Sequence, residues 1–112
     1  MKNKPELSVI IPVTERYRYD DAKELYCAYK RSVERWNKEY EFIYVLDGNF
    51  PEVFNTLLEL RQNGEAIKIL KLSKWFGEAT ALSAGFEQSS GDVVLTLPAY
   101  QQVKEDQIPK IL

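Results

Sequence analysis

Four short apolar runs punctuate the chain, and each is separated from the next by a segment with the spacing of an amphipathic helix. Leu7-Ser8-Val9-Ile10-Ile11-Pro12-Val13, Phe42-Ile43-Tyr44-Val45-Leu46-Asp47-Gly48, Ile67-Lys68-Ile69-Leu70-Lys71-Leu72 and Gly91-Asp92-Val93-Val94-Leu95-Thr96-Leu97 read as strands. They are short, mostly apolar and rich in β-branched residues, as strands covered on both faces must be. Between the first two, Asp20 and Asp21 offer an N-cap. Ala22, Leu25, Tyr26, Tyr29, Val33 and Trp36 then recur at helical spacing, which predicts a helix to about Lys38. Pro51 suits a first helical position, and Asn63-Gly64 stops that second helix. The third, from Glu78 to Ser89, carries a face of small residues, Ala79, Ala81, Ala84 and Gly85, with Leu82 and Phe86 filling in.

Strict alternation of strand and helix means a parallel sheet with right-handed crossovers and helices on both faces. A three-layer α/β/α sandwich with Rossmann-like strand order 3-2-1-4 follows. That order places the third run, marked as an edge by Lys68 and Lys71, at one rim. It leaves the fourth run at the other rim, too apolar for a bare edge. A covering element is expected there, either further chain or a second copy.

The 112 residues suffice for one domain, and 45% hydrophobic with 29% charged residues is ordinary for a globular fold. A net charge of −2 argues against nucleic acid as a partner. No apolar run approaches the ~18 residues that span a bilayer. Met1-Lys2-Asn3-Lys4-Pro5 leads into a short strand rather than a signal-peptide core. A lone Cys27, on the apolar side of its helix, fits a reducing, cytoplasmic setting and inert packing. The absence of histidine removes the commonest general base and metal ligand. Pro12-Val13-Thr14-Glu15-Arg16 holds neither G-x-G-x-x-G nor the GK[ST] of a P-loop, so classical dinucleotide and P-loop chemistry are not expected.

Taken in order, five stretches resemble the nucleotide-binding half of family 2 glycosyltransferases, which have the GT-A fold. Leu7 to Val13 is similar to the opening S-V-I-I-P-V strand, and Tyr40 to Gly48 to Y-E-I-I-V-V-D-D-G. Leu72-Ser73-Lys74-Trp75-Phe76-Gly77-Glu78 and its continuation to Phe86 resemble L-S-R-N-F-G-K-x-A-A-L-x-A-G-L. Gly91 to Leu97 is similar to G-D-V-V-V-T-L, and Asp106 to Leu112 to E-x-I-P-x-L-L. The resemblance implies transfer of a sugar from a nucleoside-diphosphate sugar to an acceptor hydroxyl. It also implies that residues 1–112 form one truncated half-domain, with the acceptor half and catalytic base beyond Leu112.

Departures from the pattern fall on the chemistry. The family's metal-holding D-x-D lies over Pro98-Ala99-Tyr100. Magnesium and manganese need hard oxygen ligands, so the divalent metal that the family implies loses its expected carboxylates. Glu105 and Asp106 follow several residues later, in a helix start, and are poor substitutes by position. Leu46 replaces the first Asp of D-D-G, Trp75 the Asn of R-N-F-G and Glu78 its Lys. No catalytic or metal-binding residue is therefore assigned, and catalysis by this chain is not expected.

The resemblance leaves a nucleotide-sugar site as the expectation. Asp47 would contact the base, or else cap the turn before Gly48. Pro12, Thr14 and Glu15 would line the nucleotide, although loop polarity also explains the last two. Lys74 would meet a phosphate or lie solvated, and Gly77 would serve the turn into the helix. Pro98 and Tyr100 would approach the pyrophosphate, with Tyr100 alternatively packed in its loop. The second reading is a non-catalytic homodimeric module built on the fourth strand, Trp75 and Tyr100.

Overall fold

A computed structural model describes residues 5–14, 21–35, 39–73, 76–97 and 99. The strands are β1 (Leu7–Val13), β2 (Tyr40–Asp47), β3 (Ile67–Leu72) and β4 (Val93–Thr96), and the helices are α1 (Ala22–Glu34), α2 (Pro51–Gln62) and α3 (Glu78–Gln88). All strand pairings are parallel, and the sheet order is β3-β2-β1-β4. The predicted order is the observed one. With right-handed crossovers, that order puts α1 and α2 on one face of the sheet and α3 on the other.

Side-chain alternation along β1 and β2 divides the core in two. Leu7, Val9, Ile11 and Val13 join Phe42, Tyr44 and Leu46 under α1 and α2, together with Leu25, Tyr26, Tyr29, Val33, Val53 and Leu57. Ile10, Ile43 and Val45 face the other way, against Ala81 of α3. Both faces of the central strands are thus dry, which is why these two runs are almost uninterruptedly apolar. Tyr26 and Tyr29 are core residues, each about 1% exposed, and the Tyr26 ring meets Phe42 edge-on at 4.8 Å between centroids.

Helix ends follow local chemistry. The Asp21 side chain accepts a hydrogen bond from the Glu24 N–H and starts α1. That helix ends at Glu34 with Arg35 as C-cap, short of the expected Lys38; residues 36–38 lie outside the described ones. Pro51 opens α2, and Asn63 closes it before Gly64 turns the chain at φ 98°. In α3 the contact line is Ala81 and Gly85, one turn apart; Gly85 lies against Ile10, where a Cβ would stand 2.6 Å from the isoleucine Cγ2. Phe86 does not fill that contact. It is rotated about 100° from Gly85 and is half exposed.

The edge lysines have specific partners. Lys68 reaches the Glu41 carboxylate at 3.0 Å, and the Lys71 ammonium lies 4.4 Å from the centre of the Phe54 ring. Each covers its face of the sheet rim with a charge that solvent can still reach. The opposite rim, β4, carries no charge between Val93 and Thr96, and Val93 is 42% exposed.

Candidate functional site

In an open parallel sheet, ligands gather beyond the carboxyl ends of the strands. Here β1 ends at Val13, which pairs with Leu46, so Thr14 and Asp47 leave neighbouring strands at the same level. Both continue the side of the sheet that faces α3, the side of Ile10 and Ile43. Pro12 is buried in β1, Thr14 is buried just past it, and Asp47 is 1% exposed at the tip of β2. Gly77 is the N-cap of α3. Glu15, Lys74, Pro98 and Tyr100 lie outside the described residues, as do Trp75, Glu105 and Asp106.

What draws Asp47 and Gly77 together is a two-point hydrogen bond. The Phe76 N–H donates to Asp47 Oδ1 and the Gly77 N–H donates to Oδ2, each at 2.7 Å. The carboxylate therefore caps a loop about thirty residues away, not the turn at Gly48 beside it. Gly77 adopts φ 99° and ψ 165°, a conformation that essentially only glycine occupies without strain. This turns both N–H groups towards Asp47 and starts α3, whose Ala81 N–H bonds back to the Gly77 carbonyl.

A second polar group, at the opposite end of the same strand face, escaped the reading of the sequence. Ser8 and Glu41 are register partners on β1 and β2. The Ser8 hydroxyl donates to Glu41 Oε2 at 2.6 Å, the Ser90 N–H donates to the same oxygen at 2.7 Å, and the Gly91 N–H donates to Ser8 Oγ at 2.8 Å. Lys68 completes the set, donating to the Gln88 carbonyl and the Ser90 hydroxyl as well. Burial works against the Glu41 charge, but the Ser8 hydroxyl, the Ser90 N–H and Lys68 outweigh it and hold the carboxyl below its usual range. The available signal was a polar residue at the second position of two otherwise apolar strands. Gly91 is required here, since a Cβ would stand 2.7 Å from the Ser8 backbone nitrogen.

At that amino end, a cleft of about 600 Å³ is lined by Lys30, Glu34, Tyr40 and Glu65 among others. Glu65 accepts from Tyr26 Oη at 2.8 Å and from Lys30 at 2.7 Å, and Glu34 accepts from Tyr40 Oη at 3.2 Å. These groups tie α1 to β2 and to the turn after α2, so the cleft reads as a seam between elements.

Among the described residues no three His, Cys, Asp or Glu side chains gather to hold a metal ion. Asp47, at the carboxyl end of β2, has both oxygens on backbone amides. The described residues do not fit the metal.

The parallel sheet of order 3-2-1-4 with its three helices is the fold of GT-A glycosyltransferases. Among solved structures, residues 1–349 of TarS from S. aureus match over 95% of this chain and 31% of theirs, with TM-score 0.68 and 18% identity. The mannosyltransferase PcManGT from Pyrobaculum calidifontis, in complex with GDP-Man and Mn2+, matches over 87% of this chain and 28% of its own, with TM-score 0.59 and 14% identity. The chain thus spans less than a third of either protein. The family model "Glycosyl transferase family 2" matches residues 8–112, and the chain belongs to that family.

Proposed function

We propose that residues 1–112 form the nucleotide-binding half-domain of a family 2 glycosyltransferase, which takes the nucleotide of a nucleoside-diphosphate sugar and does not by itself transfer the sugar. The family's reaction moves that sugar to an acceptor hydroxyl. The observation that carries the reading is the convergence of Thr14, Asp47 and the start of α3 at the carboxyl end of a family 2 sheet. GDP-Man in the complex of the mannosyltransferase gives the ligand class. The non-catalytic part rests on Pro98-Ala99-Tyr100 standing in the D-x-D place and on the lack of a metal donor set among the described residues. A cytoplasmic location belongs to the same reading and rests on the lone cysteine; among the described residues no helix is long and apolar enough to cross a membrane.

Calorimetric titration with UDP, GDP and UDP-glucose, with and without manganese, tests it. Binding of at least one of them, unchanged by the metal, is the expected result. No binding by any would overturn the nucleotide reading, and metal-dependent sugar transfer would overturn the non-catalytic one. A second reading, a homodimeric module joined through β4, is favoured by the uncharged, partly exposed character of that rim strand.

A further inference from the structure

We infer that Phe76 is the side chain on which the nucleobase stacks, with Asp47 at the edge of that base; this rests on the nucleotide-binding reading above. A base held only by its edge leaves two flat, poorly hydrated faces open to water. A site that keeps it needs an aromatic or apolar surface beside the polar group that meets the edge. Asp47 is that polar group. Its oxygens accept from the Phe76 and Gly77 N–H groups at 2.7 Å, and each carboxylate oxygen keeps a second lone pair for a ligand N–H.

Beyond the carboxyl ends of the strands, the described residues include two aromatic ones, Phe50 and Phe76. The first is engaged, packed against the core under α1 and α2. Thr14 is small and buried, Pro12 lies within β1, and Gly77 has no side chain. Phe76 differs from all of these. It is 52% exposed, and its own N–H is the group bonded to Asp47 Oδ1, so ring and carboxylate belong to the same corner of the fold. A single exposed phenylalanine is commonplace. This one is fixed at its root. The two N–H bonds and the turn at Gly77, φ 99°, hold the backbone at 76 and 77, so only the two side-chain torsions are ordered when a base lies on the ring. Stacking tolerates any base, because every base has a π face. Phe76 therefore contributes affinity, and the choice among bases falls to the groups at the edge.

The test compares this chain with Phe76→Ala and Phe76→Tyr by calorimetry with UDP and GDP, and follows the parent with bound UDP by NMR. The expected result is a weakening of about 5- to 140-fold for both nucleotides in Phe76→Ala. Phe76→Tyr, which keeps an aromatic face, stays within about twofold of the parent. In the bound parent, nuclear Overhauser contacts join the Phe76 ring protons to the carbon-bound protons of uracil. Affinities of Phe76→Ala equal to those of the parent, or the absence of ring-to-base contacts, would overturn the inference and leave the nucleotide reading standing. The ring would then be a surface for further chain or for a protein partner. An equal loss in Phe76→Tyr would overturn it as well, since the aromatic face is still there. If the parent binds neither nucleotide, the nucleotide reading itself fails, and the stacking role fails with it.

Discussion

At the scale of single residues, Tyr44 shows how a polar atom can be carried into a core without a partner. Its ring fills the layer under α1 and α2, but its hydroxyl is buried with no hydrogen bond among the described residues. Burial, with the nearby Tyr29 and Cys27 adding to it, holds the phenol above its usual range, so the group stays neutral and still wants an acceptor. An unmet buried hydroxyl costs about 1–3 kcal/mol. Tyr44→Phe keeps the ring and removes the debt, so the variant should be more stable by about 1 kcal/mol, or about 4 °C in Tm. Thermal unfolding of the two proteins side by side checks this; a drop in Tm would mean that the hydroxyl has a partner in solution. Tyr26 is the contrast. It lies equally deep, but its hydroxyl reaches Glu65 at the rim.

Among elements, α3 combines a face of small buried residues with polar contacts at its two ends. Its fully buried residues are the small Ala81 and Gly85, with Leu82 and Ala84 partly buried beside them. Glu41 anchors the chain just after it through the Ser90 N–H. Because the folded pKa of Glu41 lies below its unfolded value, the stability it contributes is fully present above the ordinary carboxylate range and is lost as pH falls through the folded value. The same sign holds for Glu65, lowered chiefly by its bond from Lys30. Stability should therefore be flat near neutrality and fall below about pH 4. Glu41→Gln should be less stable at pH 7 and show a shallower acid decline, which Tm measured across pH 7 to 3 would reveal. Parallel curves for the two proteins would remove Glu41 from the account.

The elements themselves were legible because their signals are local. Period-2 and period-3.6 patterns, Pro51 at a helix start and Asn63-Gly64 at a helix end each act over a few residues. The Asp47 clamp was not legible, for a physical reason. Its donors are backbone N–H groups, which every residue but proline carries, so nothing in the side chains of Phe76 or Gly77 announces them. Even so, the glycine at 77 was read as serving the turn, and the turn is where the structure has it. The half-exposed Phe86 shows the converse: a composition of small and apolar residues does not reveal which of them face inward until the helix is seated.

For the whole molecule, the two rims of the sheet differ in kind. β3 carries Lys68 and Lys71, and both ammonium groups have partners across the sheet faces. Along β4, Val93 to Thr96 carry no such charge, and no strand pairs with its outer edge among the described residues. A bare apolar rim favours edge-to-edge association. If the homodimer reading holds, sedimentation will show a concentration-dependent dimer, and Val93→Lys, at a site already 42% exposed, will return it to monomer without loss of Tm. A monomer at every concentration would end that reading and leave the nucleotide reading untouched.

The two carboxylates of β2 also act as a gauge. Glu41 and Asp47 stand six positions apart on one strand face, about 20 Å at about 3.3 Å per residue. The 11 residues of α3 run back along that face over about 16 Å, and a short loop at each end closes the remainder onto a carboxylate. Adding or deleting one residue in α3 would swing its far end by about 100° and carry Ser90 or Gly77 off its acceptor. Chain length between Gly77 and Ser90, and between Glu41 and Asp47, is therefore locked as a matched pair. The segments that no carboxylate measures are free of this constraint.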